Sequence, residues 1–155
     1  MLAGAEPPRE VEVVAGNLRV VVDIANGQKT GAYLDQQRNR ERVAAHGRNA
    51  EVLDAFSYTG GFAIVCLRAG AKTATLVDSS AEALALADRE TAANAVRDRC
   101  RFVAANVFDE LRSMRQSGAQ FDLVQIEQGD ERDGIEANQP EGIHERDSCT
   151  WVDAG

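Results

Sequence analysis

The sequence is poor in cysteine: its three, Cys66, Cys100 and Cys149, form no C-x-x-C pair. An odd number of scattered thiols argues against a disulfide scaffold and favours a reducing compartment. No apolar run approaches the roughly 18 residues that a membrane-spanning helix needs. The first residues also lack the basic stretch followed by an apolar one that marks a signal peptide. These absences predict a cytoplasmic protein that does not enter a membrane.

Negative charge is in excess, but it is concentrated in one part of the chain. The formal net charge is −8, and residues 128–155 alone carry a net charge of −6. The body of the chain is therefore almost neutral, so the acidic total does not argue against an RNA partner. Residues 128–155 also have few apolar side chains and no sustained period, which predicts an acidic irregular or disordered tail.

Strand-like and helix-like segments alternate between residues 51 and 126. The strands are "AEVLDAF", "TATLVD", "CRFVAA" and "FDLVQI". Strands that are joined through helices must be parallel, with helices on both faces of the sheet. The sequence therefore predicts an α/β fold with a Rossmann-like, doubly wound, mostly parallel sheet that is incomplete at its C-terminal end. Gly70 and Gly118 are predicted to end helices, and Ser79 with Glu82 to cap one.

Other patterns precede this core. Two β-branched runs in "VEVVAGNLRVVVDI" (11–24) are separated by "AGN", which predicts a β-hairpin. A polar helix is predicted over residues 36–48. The chain is thus predicted to have three parts, a hairpin with a connecting helix (1–48), a core (49–127) and the tail (128–155).

The stretch "VLDAFSYTGGFA" (52–63) predicts a turn from a buried strand into a helix. Gly60 and Gly61 allow a ligand to approach the backbone near a helix N-terminus. The same glycines are equally expected if the turn needs them only for its own geometry. On this stretch alone both explanations stay open.

Polar residues follow the next strands at positions suited to a nucleoside. Asp78 ends the second strand, eighteen residues after Gly60, where an acid accepts hydrogen bonds from the hydroxyls of a ribose. Asn106 ends the third strand, where an amide can bind the edge of an adenine, with the Val107 N–H nearby and Phe108 against the ring. Helix capping is the alternative for both Asp78 and Asn106.

The sequence of the turn and the acid before it distinguish between two classes of nucleoside cofactor. The turn reads "SYTGGF" and lacks the G-x-G-x-x-G spacing of NAD-binding proteins, which disfavours an NAD-dependent oxidoreductase. Asp54, near the end of the first strand, instead offers a carboxylate to a cationic amino group. An adenosine joined to an amino acid is S-adenosylmethionine.

Four motifs then carry a resemblance to a known family: "GQKTGAYLDQ", "VLDAFSYTGGFAIVCLRAGA", "VDSSAEALALA" and "ANVFDELR". Over residues 11–126 the chain resembles the class I S-adenosylmethionine-dependent methyltransferases. It is most similar to the large-subunit rRNA methyltransferase I family, which makes 5-methylcytosine in 23S rRNA. The resemblance implies S-adenosylmethionine as cofactor, rRNA as partner and no metal. The cofactor residues that it implies, with Lys29 and Thr30 as weaker additions, are Asp54, Ser57, Tyr58, Thr59, Gly60, Asp78, Ser79, Asn106, Val107, Phe108, Tyr33 and Gln36.

The chain departs from the family pattern after the fourth strand. The family has an acid, two prolines and an aromatic there, whereas this chain has "EQGD", with Glu127 in the place of the acid. Gln125 also puts an amide into an otherwise apolar strand, which is costly to bury without a partner. The family's nucleophilic cysteine lies further on, and Cys149 is not expected to replace it, so no catalytic residue is assigned.

Two further expectations follow from the resemblance. The family's N-terminal RNA-binding domain of the PUA type is missing, so the cluster Arg38, Arg40, Arg42 and Arg48 is either a phosphate contact or a solvated helix face. The chain is expected to be the cofactor-binding half of a methyltransferase, truncated or frameshifted after about residue 126. The alternative is a non-catalytic remnant that associates through an uncovered sheet edge, for instance as a homodimer.

Overall fold

The computed structural model describes residue 8 and residues 10–15, 18–24 and 36–126. The predictions for Lys29, Thr30, Tyr33, Glu127 and Cys149, and for the tail, lie outside the described residues. The strands are β1 (Glu10–Ala15), β2 (Leu18–Asp23), β3 (Glu51–Ala55), β4 (Thr73–Asp78), β5 (Cys100–Ala104) and β6 (Leu123–Ile126). The helices are α1 (Gln37–His46), α2 (Gly61–Arg68), α3 (Ala81–Ala93) and α4 (Val107–Ser117).

The predicted parallel sheet is present, with strand order β5-β4-β3-β6. Every neighbouring pair in it is parallel. The chain moves outward from β3 to β5 and then returns to the other side of β3 to form β6. Strand order therefore reverses at β3, and the crevice beyond the carboxyl end of β3 is where such sheets bind ligands. The predicted hairpin is β1 with β2, antiparallel from Glu10↔Asp23 to Ala15↔Leu18.

Helices cover both faces of the sheet, as predicted. Along β3, Val52 packs in a cluster with α2, α3 and the hairpin, whereas Leu53 packs in a second cluster with α4. This alternation follows from the two-residue period of a strand. Ile64 of α2 and Leu76 of β4 are completely buried between the layers, and burying such a side chain stabilises the fold by about 1.5–3 kcal/mol.

Helix ends agree with the sequence except at one serine. Gly70 has φ +107° and its N–H donates to the Leu67 carbonyl, which ends α2 as predicted. Gly118 ends α4 at φ +72°. The cap predicted for Ser79 is wrong, since Ser80 caps α3 by accepting the Ala83 N–H at 3.1 Å. Ser80 directly precedes the helix and is extended, and so its hydroxyl reaches the first turn.

Both described cysteines are free thiols that pack in or against the apolar core. Cys66 is completely buried, and Gly47 of the preceding segment lies so close that an added Cβ would sit 3.1 Å from the Cys66 Cβ. Burial, with a contribution from Asp54, raises the pKa of the Cys66 thiol to about 12. Burial also raises the pKa of Cys100 to about 11. Neither thiol is a ready nucleophile at neutral pH.

The outer edge of the hairpin is bound by side chains of α3. Asn94, just past the end of α3, accepts the Arg19 N–H at 3.1 Å and donates to the Arg19 carbonyl at 2.8 Å. One turn earlier, Glu90 accepts the Val21 N–H at 3.3 Å. An exposed ion pair between Arg89 and Glu10 adds to this contact at 2.8 Å. The edge of β2 is thereby paired, as a strand edge needs. None of the described helices is long and apolar enough to cross a membrane.

Candidate functional site

The turn from β3 into α2 has an unusual backbone. Phe56, Tyr58 and Gly60 all have positive φ, at 60°, 48° and 76°. Left-handed conformations are unfavourable for side chains with a Cβ and tend to occur at functional sites. Three hydrogen bonds hold the turn: Ser57 N–H to the Val77 carbonyl (3.1 Å), Tyr58 N–H to Asp78 Oδ2 (2.8 Å) and Gly60 N–H to the Ser57 carbonyl (2.7 Å). The turn is therefore fixed to the end of β4.

The two glycines of the turn serve packing as well as conformation. A Cβ on Gly60 would lie 2.5 Å from Leu76 Cδ2. A Cβ on Gly61 would lie 2.8 Å from the Arg40 guanidinium carbon. Arg40 reaches over from α1 and lies 5.8 Å from the centre of the Phe62 ring. Gly61 thus makes room for Arg40, and Gly60 is required by the turn itself.

Asp78 connects the turn to the start of α3. Its Oδ2 accepts the Tyr58 N–H and its Oδ1 accepts the Ser80 N–H, each at 2.8 Å. The side chain is half-buried. An ionised carboxylate has about four acceptor positions, so each oxygen retains the capacity for a second hydrogen bond. The capping role and a ligand-binding role are therefore compatible at this residue.

Asp54 lies beneath the turn and is 1% exposed. Its Oδ2 accepts the Ala63 N–H at 3.0 Å, in the first turn of α2. The positive end of the helix dipole favours an ionised carboxylate at that place. Gln125 is the register partner of Asp54 on β6.

Two buried polar atoms beside Asp54 have no hydrogen-bond partner among the described residues. They are Oγ of Ser57 and Nε2 of Gln125. Ser57 is 6% exposed and Gln125 is 2% exposed. A buried polar group that stays unsatisfied costs about 1–3 kcal/mol. Such atoms at the carboxyl edge of the sheet are suited to bind a polar ligand.

The connection from the end of β5 to α4 has fewer contacts. Asn106 is exposed, and its Oδ1 accepts the Asp109 N–H at 3.2 Å, which makes it the cap of α4. Val107 is buried in the core on the α4 side. Phe108 is 56% exposed and lies edge-on to Phe56 with ring centres 5.5 Å apart.

The other predicted residues lie at the border of this site. Gln36 is half-buried and its Oε1 accepts from Asn39 Nδ2 at 2.6 Å. Ser79 is exposed. Thr59 is 8% exposed. The structure thus brings Asp54, the turn and Asp78 together. The described residues contain no group of three or more side chains able to hold a metal ion.

Glu90 is a residue that sequence reasoning missed. It is 1% exposed, and its Oε1 accepts the Val21 N–H of the hairpin. Burial raises the pKa of its carboxyl to about 7, although the hydrogen bond from Val21 and the charge of Arg40 oppose this shift. One signal was present, because Glu90 falls on the helical stripe formed by Ala83 and Ala87, where an acid is out of place.

The comparisons with known proteins decide the family. The sequence profile of the S-adenosylmethionine-dependent methyltransferases matches residues 1–135. The chain belongs to this family. Its members use S-adenosylmethionine as cofactor, so the predicted family resemblance and the cofactor class of the family are confirmed.

Curated relatives are longer than this chain. The chain is 42% identical over 125 residues to a ribosomal RNA large subunit methyltransferase I from Aliivibrio fischeri, covering 80% of this chain and 32% of that protein. A protein of the same name from Alteromonas mediterranea is 42% identical over 120 residues, with 77% and 30% covered. The chain spans about a third of the length of the curated relatives it matches.

Solved structures agree with the fold. A structure from Streptococcus mutans, described as a candidate S-adenosylmethionine-dependent methyltransferase, has a TM-score of 0.72 at 27% identity, covering 79% of this chain and 33% of that one. A methyltransferase crystallised with SAH gives the same values. An Agrobacterium tumefaciens methyltransferase, at 19% identity, has a TM-score of 0.71, with 77% of this chain and 40% of that one covered. The Rossmann-like α/β fold predicted from the sequence is confirmed.

Proposed function

We propose that this chain forms the cofactor-binding part of an RNA methyltransferase, and that S-adenosylmethionine binds at the carboxyl edge of the sheet, around the β3–α2 turn. The observation that carries this proposal is the position of Asp78. Its carboxylate joins the strained turn to the start of α3 and keeps acceptor capacity on both oxygens. An acid at the end of the second strand is suited to hold both hydroxyls of a ribose.

The other site residues would contact the remaining parts of the cofactor. Asp54 and Ser57 are suited to the amino-acid portion, and the orphaned, buried Oγ of Ser57 supports a polar ligand there. Asn106, the Val107 N–H and Phe108 are suited to the adenine. The cofactor, when bound, supplies a methyl group on a sulfonium. Tyr58, Thr59, Gly60, Ser79, Tyr33 and Gln36 stay proposed members of the site.

The proposed substrate is large-subunit rRNA, and more finely the C5 atom of a cytosine in 23S rRNA. The name of the Aliivibrio fischeri relative supports the coarser part, and the motif resemblance supports the finer part. Arg38, Arg42 and Arg48 are exposed and available to RNA phosphates. Arg40 is instead packed against Gly61 and Phe62. We further propose the cytoplasm as location and a three-part division at residues 48 and 127.

A second candidate function is cofactor binding without catalysis. Gln125 favours it, because its amide is unsatisfied in an otherwise apolar strand. The "EQGD" that follows also lacks the two prolines of the family. Such a chain could associate through the outer edge of β6, for instance as a homodimer. The relatives from Aliivibrio fischeri and Alteromonas mediterranea give the NAD-binding alternative no support.

The first experiment is a calorimetric titration of the purified chain with S-adenosylmethionine, with NAD as the control ligand. We expect saturable binding of the first alone. Absence of binding by a chain that is folded by circular dichroism would contradict the proposed function.

A pair of variants tests the ribose assignment. A hydrogen bond to a charged group contributes about 1.5–3 kcal/mol, so we expect Asp78→Ala to weaken S-adenosylmethionine binding by one to two decades, since about 1.4 kcal/mol is tenfold. Asp122→Ala is the matched control. Asp122 also accepts a backbone N–H, that of Glu51 at 2.8 Å, but at the opposite edge of the sheet. Equal affinity in folded Asp78→Ala would refute the assignment.

Methyl transfer tests whether this chain alone is catalytic. Incubation with labelled S-adenosylmethionine and a 23S rRNA fragment measures it directly. We expect little or no transfer from this chain alone, because neither described cysteine is activated as a nucleophile.

A further inference from the structure

We propose that Gln125 is a specificity-determining residue for the amino-acid part of the cofactor. Its amide donates a hydrogen bond to the carboxylate of S-adenosylmethionine, beside Asp54, which accepts the ammonium group. The inference deepens the proposed function and rests on it, because it takes the carboxyl edge of the sheet as the cofactor site. It holds for the candidate function without catalysis as well, since that function retains cofactor binding.

Gln125 and Asp54 lie side by side on one face of the sheet. They are register partners on the parallel strands β6 and β3. Two residues earlier on the same strands, the partners Val52 and Leu123 both pack in the core cluster that contains α2. Side chains alternate between the two faces of a strand, so Asp54 and Gln125 point to this same face, from strands about 4.8 Å apart.

The amide of Gln125 is buried without a hydrogen-bond partner. Gln125 is 2% exposed, and its Nε2 has no partner among the described residues. An amide nitrogen of this kind carries two N–H donors, and a buried donor without an acceptor is unfavourable. An apolar side chain fills a buried place without this cost, as Leu123 does on the same face of β6. The amide therefore needs an acceptor that the described part of the chain does not supply.

Asp54 has the opposite hydrogen-bonding character. Its Oδ2 accepts the Ala63 N–H at 3.0 Å in the first turn of α2, and the N-terminal end of that helix favours an ionised carboxylate. An ionised carboxylate only accepts hydrogen bonds, whereas the amide nitrogen of Gln125 only donates them. The sheet thus places an acceptor and a donor at neighbouring register positions.

An acceptor beside a donor matches the head group of an α-amino acid. The ammonium group of that head only donates and its carboxylate only accepts, and both are bonded to the same carbon atom. Asp54 is suited to the ammonium and Gln125 Nε2 to the carboxylate, with the Ser57 Oγ, also buried and without a partner among the described residues, as a second donor. A hydrogen bond to an ionised group is stronger than one between neutral groups, so a carboxylate is well suited to offset burial of the amide.

Both side chains lie next to the carboxyl edge of the sheet. β6 ends at Ile126, one residue after Gln125, and β3 ends at Ala55, one residue after Asp54. A glutamine side chain has several rotatable bonds, so the amide can turn toward the edge without movement of the strand. A head group that reaches Asp54, which is itself 1% exposed, therefore also reaches Gln125.

The experiment compares two ligands across three chains. The ligands are S-adenosylmethionine and its decarboxylated form, which differs only by loss of the carboxylate. The chains are the wild type, Gln125→Met, which keeps the length of the side chain and removes its amide, and Gln116→Met. Gln116 is exposed on α4, so its variant makes the same chemical change away from the site and is the matched control. Affinities are measured by calorimetry and stabilities by urea unfolding.

We expect the wild type to bind S-adenosylmethionine about tenfold or more tightly than the decarboxylated form, because the latter loses a hydrogen bond to a charged group. Gln125→Met should remove most of this preference by weakening the binding of S-adenosylmethionine alone. Its urea midpoint should rise, since an apolar side chain replaces a buried amide that lacks a partner. Gln116→Met should match the wild type in its affinity for both ligands.

Three results would overturn the inference and leave the proposed function standing. The first is equal affinity of the wild type for the two ligands, which needs no variant and keeps the test decisive if Gln125→Met does not fold. The second is equal S-adenosylmethionine affinity of the wild type and Gln125→Met, which would assign the amide to packing or to a buried water. The third is an equal loss of affinity for both ligands in Gln125→Met.

A different result would remove both proposals. If the wild-type chain is folded by circular dichroism and binds neither ligand, the proposed function fails and the inference fails with it.

Discussion

The turn after β3 and the turn after β5 lie at the same edge of one sheet, but they are built differently. The β3 turn has three residues with positive φ and is bound by β4 through the Asp78 carboxylate and the Val77 carbonyl. The β5 turn uses one local contact, the Asn106 cap of α4. The first turn is therefore defined by distant partners and the second by its own sequence. Position at the carboxyl edge alone does not determine how rigid a binding loop is.

This difference predicts where the chain tolerates substitution. Changes in the β3 turn should disturb packing and cofactor binding together, because the same contacts serve both. Changes in the β5 turn should affect helix capping and cofactor binding separately. The three predictions below test this contrast in order of decreasing effect.

The largest effect is expected from Gly60→Ala. The substitution forces a residue with a Cβ into a left-handed conformation, which costs about 1–2 kcal/mol. It also places the Cβ 2.5 Å from Leu76 Cδ2, and this overpacking costs about 1–3 kcal/mol more. The free energy of unfolding, measured with urea, should fall by about 4 kcal/mol.

Gly118→Ala is the matched control for this prediction. Gly118 has nearly the same φ, +72°, but nothing lies within 4 Å of an added Cβ. We expect it to lose only the conformational part, about 1–2 kcal/mol. Equal losses in the two variants would show that the Leu76 contact relaxes without cost.

The second effect concerns pH. The pKa of Glu90 is raised from 4.5 to about 7 in the folded chain. The folded state therefore holds its proton more tightly than the unfolded state does. The contribution of Glu90 to the free energy of unfolding is therefore greatest below about pH 4.5. It declines as the pH rises through 7, by a total of about 3 kcal/mol.

Urea unfolding between pH 5 and pH 8 measures this decline, and Glu90→Gln removes it. The difference between the two chains isolates Glu90, since all other titrating groups are shared. Parallel pH profiles of the free energy of unfolding for the wild type and Glu90→Gln would contradict the prediction.

The smallest effect is expected at Asn106. Asn106→Ala removes the cap of α4 and should lower the free energy of unfolding by about 1 kcal/mol. Asn106→Asp keeps the cap but replaces the amide, so stability should be retained while S-adenosylmethionine affinity falls. If Asn106→Asp binds the cofactor as well as the wild type does, Asn106 is only a helix cap.

The sequence predicted the elements of the core well because each has a strong local signal. Every strand from β3 to β6 is a short apolar run next to a turn, and Gly70 and Gly118 end their helices in left-handed conformations. The cap of α3 was assigned one residue early. Ser79 and Ser80 have the same capping propensity, and only the backbone conformation of Ser80 distinguishes them.

The long-range contacts around the site could not be predicted in the same way. Asp78 was found from its spacing, since the distance between a glycine turn and the next strand end is set by the fold. Glu90 acquires its contact from Val21, which is 69 residues away. No local pattern encodes such a meeting, because it depends on how the hairpin and α3 pack.

The separation between the hairpin and α3 also has a consequence during synthesis. Arg19 and Asn94 are 75 residues apart, and ribosomes add about 5–20 residues per second. A nascent hairpin must therefore wait about 4–15 s before α3 is available to cover the edge of β2. During translation that edge can pair with another chain, so the yield of folded protein should depend on how quickly codons 24–94 are read.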